Sequence, residues 1–160
     1  MIAPLLLAAD FMNFTYATNP CYKNVPVPAV MEKGSFSYFD KNMGAGFDLR
    51  VDSVKKGSLA PGTQQAVVTI VCDFPVGGTA EAYVFSDNGA TAAPLGDVAS
   101  ANWGPDWGAG PNSIHAVFKD RYLYIDACND DDCTTNISTT YALKNGKLIK
   151  VSEKTRKNPN

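Results

Sequence analysis

Apolar and polar side chains alternate with a period of two along most of the chain, and β-branched residues crowd the apolar positions. That pattern belongs to pleated strands whose side chains point alternately to two faces. It predicts strands at Phe11–Tyr16, Gly34–Phe39, Gly46–Val54, Gln65–Asp73, Glu81–Ser86, Ser113–Phe118, Tyr122–Ala127, Thr139–Leu143 and Lys147–Val151. Val67–Cys72 is the most continuous apolar run, as expected of a strand covered on both faces. Turn signals separate the strands, at Gly57-Ser58, Pro61-Gly62, Gly77-Gly78, Asn88-Gly89, Asp120-Arg121 and Asn145-Gly146. Asn145-Gly146 is the clearest hairpin, because Asn-Gly suits the tight turn that matches strand twist. Helical periodicity is confined to short pieces around Pro26–Glu32 and Ala92–Ala99. Strands recurring about every 8–12 residues predict an all-β fold with at most short helices: an antiparallel sandwich or barrel of about 7–9 strands.

The 160 residues show no internal repeat and no linker, which places a single β-rich domain at residues 10–151. Residues 152–160 read as a polar, basic and frayed tail. Residues 1–9 read either as the remnant of a signal peptide or as an apolar strand of the mature protein. In the second case Ile2–Ala9 must be buried, in its own domain or by strand addition to a neighbouring copy, so self-association through this segment is a candidate.

Composition narrows the function classes. Apolar residues make up 45% of the chain, which excludes intrinsic disorder, and no apolar run reaches the ~18–20 residues of a membrane-crossing helix. With a net charge of −2 there is no basic footprint for nucleic acid. The single histidine, His115, excludes a multi-histidine metal centre and has no triad context around it. Charge is uneven, however: residues 144–160 carry Lys144, Lys147, Lys150, Lys154, Arg156 and Lys157 against Glu153 alone.

Four cysteines form an even set without a CxxC pair, which favours disulfides over zinc or thiol redox work. Cys128 and Cys133 flank a turn-rich stretch, and pairing them leaves Cys21 for Cys72. Such bridges persist in oxidising compartments, so the expected location is exported: periplasmic, cell-surface or extracellular.

Two segments offer chemistry. Asp126, Asp130 and Asp132 cluster around the short cysteine loop and supply the hard oxygen ligands that calcium takes, although the EF-hand spacing is absent. No cofactor is expected otherwise. Trp103, Asp106 and Trp107 lie in a Gly- and Pro-rich stretch unsuited to a regular strand, and would form an aromatic ligand platform or a plug for the core. No GxSxG, GxGxxG or phosphate-binding loop occurs, so the chain reads as a non-enzyme.

Three pieces carry a resemblance: Asp10–Tyr16 followed by a cysteine; Gly57–Val68 leading to Cys72 and Gly77-Gly78; and Thr139–Leu148. Together they resemble a loosely defined group of bacterial exported, lipoprotein-like β-rich domains of uncharacterised function. The resemblance implies export and a β-rich fold and brings no activity. In that group an acidic stretch able to hold calcium precedes the Ala-Val-Val strand; here Ser58–Ala66 has lost its carboxylates. The expected function is therefore binding, of a protein or glycan partner, or building a surface structure. The alternatives are a hydrolase of surface polymers using Asp106 or Asp126 beside the tryptophans, and an inhibitor of a lytic enzyme.

Overall fold

The apolar run at Val67–Cys72 lies at the centre of the molecule. The computed structural model describes residues 9–17, 28–41, 44–74, 77–88, 92–103, 113–128 and 133–158. Among them a five-stranded antiparallel sheet runs β3 (Ser35–Asp40), β4 (Ala45–Gly57), β5 (Gln65–Phe74), β6 (Gly77–Asp87), β7 (Ala92–Trp103). A four-stranded antiparallel sheet has the order β11-β10-β9-β8, formed by β8 (Ile114–Lys119), β9 (Tyr122–Cys128), β10 (Thr135–Lys144) and β11 (Lys147–Lys157). A 3-10 turn at Phe11–Asn13 and a small ladder of β1 (Thr15–Tyr16) with β2 (Ala29–Val30) make a third layer. The fold is all-β, and the sheets pack as a sandwich without closing into a barrel.

Strand β5 shows why there are three layers. Val67 and Val71 join Val84, Leu123 and Ile125 in the core between the two large sheets. Ala66, Val68, Ile70 and Cys72 point the other way and join Phe11, Tyr16, Met31 and Phe85 under the N-terminal layer. A strand clad on both faces gains nothing from polar alternation, and Gln65 to Cys72 are all buried. Strands β8 and β9 have water on one face and do alternate, with Leu123, Ile125 and Ala127 inside and Tyr122, Tyr124 and Asp126 outside.

Several elements differ from the sequence reading. The helical piece expected at Ala92–Ala99 is the first part of β7, which pairs with β6 along its length. Its Ala, Gly and Pro content hides the strand; an edge position tolerates Pro94, and two register shifts absorb the irregularity. Trp103, expected outside any regular strand, ends β7 opposite Gly78. Ala29–Val30, within the other expected helical piece, is strand β2. Phe11–Tyr16 is a 3-10 turn followed by a two-residue strand, because the Asp10 side chain accepts the Met12 N–H and caps a tight turn. Residues 152–157, expected as a frayed tail, continue β11 to Lys157 against β10.

The turns follow their chemistry. Asn145 and Gly146 both have positive φ, 51° and 74°, as the tight hairpin requires. The loop that joins β4 to β5 is closed by neutral groups. Ser58 Oγ and Thr63 Oγ1 donate to the Ala60 carbonyl, and the buried Gln65 Oε1 accepts the Leu59 N–H at 2.8 Å. Lys56 ties the N-terminal layer to the sheet: its Nζ lies 2.9 Å from Asp87 Oδ2 and 5.6 Å from the Phe11 ring centroid. The Asp87 side chain is fully buried and also accepts the Ala9 N–H at 3.1 Å.

Candidate functional site

The outer face of the four-stranded sheet packs against nothing else among the described residues. Strand alternation decides which side chains stand on it, and register decides which of them meet. Across the sheet, His115 pairs with Asp126, Asp126 with Ser138, and Ser138 with Lys154. The neighbouring row runs Cys128, Asn136, Arg156. On the other side lie Val117, Tyr124 and Thr140, and beyond them Lys119 and Tyr122.

At one end of this face the side chains of four strands surround a depression of about 560 Å³. His115, Asp126, Asn136, Ser138 and Arg156 line it, with Ser113, Lys157, Asn158 and the Cys128–Cys133 disulfide at the rim. The disulfide spans a Cα–Cα distance of 5.0 Å. Asn158 fastens this rim: its backbone N–H donates to the Thr134 carbonyl at 2.8 Å, and its amide donates to the Cys133 carbonyl and to Asn136 Oδ1. Ser138 Oγ donates to Asp126 Oδ1. At the other end Tyr122 and Tyr124 stand exposed with ring centroids 6.3 Å apart and planes tilted by 59°.

The sequence-predicted residues fare unevenly. Asp126 is in the depression, bonded to Ser138. Asp130 and Asp132, the other two residues of the calcium expectation, lie outside the described residues, as do Asp106 and Trp107. Among the described residues no group of three or more His, Cys, Asp or Glu side chains is placed to hold a metal ion. Trp103 sits at the end of β7, in the other sheet. The Cys128–Cys133 bridge is present. Cys72 is fully buried on the face toward the N-terminal layer and is not a free thiol, while Cys21 lies outside the described residues, as does Ile2–Ala8. Asn136 and Ser138 were not among the residues that the sequence singled out, and Arg156 entered only as part of the basic stretch at residues 144–160. They lie outside the strands that alternation predicts; β10 and β11 extend to include them, and register brings Ser138 beside Asp126 and Arg156 beside Asn136.

A second cleft, of about 490 Å³, opens between the N-terminal layer and the β6–β7 edge and is lined by Phe14, Tyr16, Tyr83, Phe85, Pro94 and Asp97. Burial pushes the phenols of Tyr16 and Tyr83 well above their ordinary value, and the Glu81 and Asp97 carboxylates add to the effect at Tyr83. Its aromatic walls are the edge of the second core, where Phe11, Phe14, Tyr16 and Phe85 pack ring to ring.

No protein-family profile, curated protein or solved structure matches this chain. Its described residues contain no helix long and apolar enough to cross a membrane.

Proposed function

We propose that this protein is an exported, disulfide-bonded β domain that works by binding, with the outer face of β8–β11 as its recognition surface and no catalytic step. The observation that carries the reading is the depression itself: four strands converge hydroxyl, amide, imidazole, carboxylate and guanidinium groups on a face the sandwich core does not use. Donors and acceptors of this kind, fixed on rigid strands, orient a polar ligand at little ordering cost. The Cys128–Cys133 bridge supports an oxidising compartment.

The bonding pattern supports binding over turnover. A serine–histidine pair needs the imidazole in contact with the serine hydroxyl. Ser138 instead donates to Asp126, and His115 stands one strand beyond that carboxylate, roughly 10 Å from Ser138 across two strand spacings. Asp126 Oδ1 accepts the hydrogen bond from the Ser138 hydroxyl.

The test is a screen of immobilised glycans and surface proteins with the full chain and with Asn136→Ala/Ser138→Ala. Ligands retained by the full chain and lost by the variant, with no product formed on long incubation, are the expected result. Retention by both proteins alike would remove the depression as the site. Turnover abolished by Asp126→Asn would establish the hydrolase instead.

A further inference from the structure

We propose that an endopeptidase removes residues 1–8 by hydrolysing the Ala8–Ala9 peptide bond, and that the Ala9 α-ammonium group so created pairs with the buried carboxylate of Asp87. The inference does not depend on the binding face. It concerns how the N-terminal layer is locked onto the sandwich.

Geometry is the first observation. The Ala9 backbone nitrogen lies 3.1 Å from Asp87 Oδ1, and Lys56 Nζ lies 2.9 Å from Oδ2 of the same carboxylate. The Asp87 side chain is fully buried, whereas that of Lys56 is 31% exposed. While Ala9 sits in a peptide bond, Oδ1 receives a neutral N–H. Once Ala9 starts the chain, the same nitrogen carries a charge, and each carboxylate oxygen has a cation within hydrogen-bond reach. Burying a carboxylate is costly unless it is paired, and charge-assisted hydrogen bonds are roughly twice as strong as neutral ones. Lys56 is also shared. Asp10, next to Ala9 in the chain, has its carboxyl held below the ordinary value first by the Asn13 side chain and in smaller part by Lys56. A second cation at Ala9 answers the second carboxylate.

Sequence is the second observation. Ile2–Leu7 is apolar and uncharged, and it gives way to Ala8 and Ala9. Peptidases that remove export leaders cut where an apolar stretch ends in small residues. Alanine flanks the Ala8–Ala9 bond on both sides, although Leu6 stands where such enzymes favour a second small residue. Any peptidase that accepts alanine on both sides performs the same step. Water adds across the bond, Ala8 leaves with the new carboxylate, and Ala9 keeps the amine, which is protonated at neutral pH. A cut one residue later would discard the Ala9–Asp87 contact. It would also disturb Asp10, whose side chain accepts the Met12 N–H and caps the Phe11–Asn13 turn. Ala9 itself packs against the second core, beside the cluster of Phe11 and Phe85.

The first measurement is the mass of the N-terminal peptide of the protein recovered from the compartment to which its native cells export it. A chain that begins at Ala9 is expected; one that retains residues 1–8, or begins at any other residue, overturns the proposal. The second is labelling of the recovered protein with an amine-reactive acylating reagent at neutral pH, where an α-amine reacts ahead of lysines. The Ala9 amine should label about tenfold more slowly in the folded protein than after urea unfolding, because pairing and burial withhold the neutral amine. Equal rates in the folded and unfolded chain overturn the ion pair even where the cut is at Ala9. Asp87→Asn, recovered in the same way, should lose most of the protection, and protection that survives it overturns Asp87 as the partner. If Asp87→Asn does not fold, the comparison of folded with urea-unfolded wild type decides alone.

Discussion

Replacing Gly57 by alanine places a methyl carbon 2.2 Å from Cγ and 2.4 Å from Cβ of Phe118. Gly57 ends β4 and Phe118 belongs to β8, so this contact is made between the two sheets of the sandwich. The glycine is there for space. In a strand that could accept a side chain, alanine would be the better residue by about 0.5–1 kcal/mol, so the expected sign of the substitution is itself diagnostic. No Cβ tolerates a contact so short, and the offending atoms are the base of the ring rather than its mobile end. Either Phe118 swings out of the core it packs against or the sheets part. Overpacking of this kind costs roughly 1–3 kcal/mol, and the burial lost by the displaced ring puts Gly57→Ala near the upper end, at about 3 kcal/mol. For a domain of this size that lowers the melting temperature by about 6–12 °C. The assay is thermal and urea unfolding of wild type, Gly57→Ala, Phe118→Ala and the double variant. With the ring gone the clash is gone, so Gly57→Ala should cost almost nothing in the Phe118→Ala background, a coupling of about 2–3 kcal/mol. A neutral or stabilising Gly57→Ala, or the same cost in both backgrounds, would refute the packing of this corner.

Asp87→Ala should cost about 2 kcal/mol, below the usual figure for a broken buried pair because Lys56 keeps a route to water. Hydrogen exchange should show the loss concentrated in residues 9–17, and uniform protection there would count against the tether. Cys133→Ser should lower stability by about 2 kcal/mol on the chain-entropy estimate for so short a loop, and should weaken ligand binding because the bridge walls the depression; an unchanged affinity would separate the two. Tyr16 and Tyr83 are held neutral by burial, so their folded pKa values exceed the unfolded one of about 10, and the folded state keeps more protons above that pH. Their contribution is complete below about pH 10 and is lost as pH rises beyond it, so unfolding and tyrosinate absorbance should appear together in alkali; ionisation of both phenols in a still-folded chain would contradict their burial.

Period-two alternation determined the fold class by itself, because a half-buried strand must send every second side chain to water, and β8, β9 and the Asn145-Gly146 hairpin lie where that pattern puts them. The unbroken apolar character of Val67–Cys72 was legible too, as cladding on both faces removes any need for polar positions. The nearness of Cys128 and Cys133 in sequence made their bridge readable. What lay beyond reach was whatever depends on a neighbour distant in the chain. β7 is a strand because β6 supplies hydrogen bonds to a segment whose own Ala, Gly and Pro residues do not ask for one. Residues 152–157 look like a solvated tail in isolation and become a strand only through β10. The candidate site shows the same division. Sequence could say that His115 and Asp126 each point outward on a strand, but Ser138 and Arg156 lay outside the strands it predicted, and the order β11-β10-β9-β8 and its registers were needed to set the four side by side. Local chemistry fixes the direction of a side chain; only tertiary pairing chooses its company, since a slip of one residue would send every one of them to the opposite face.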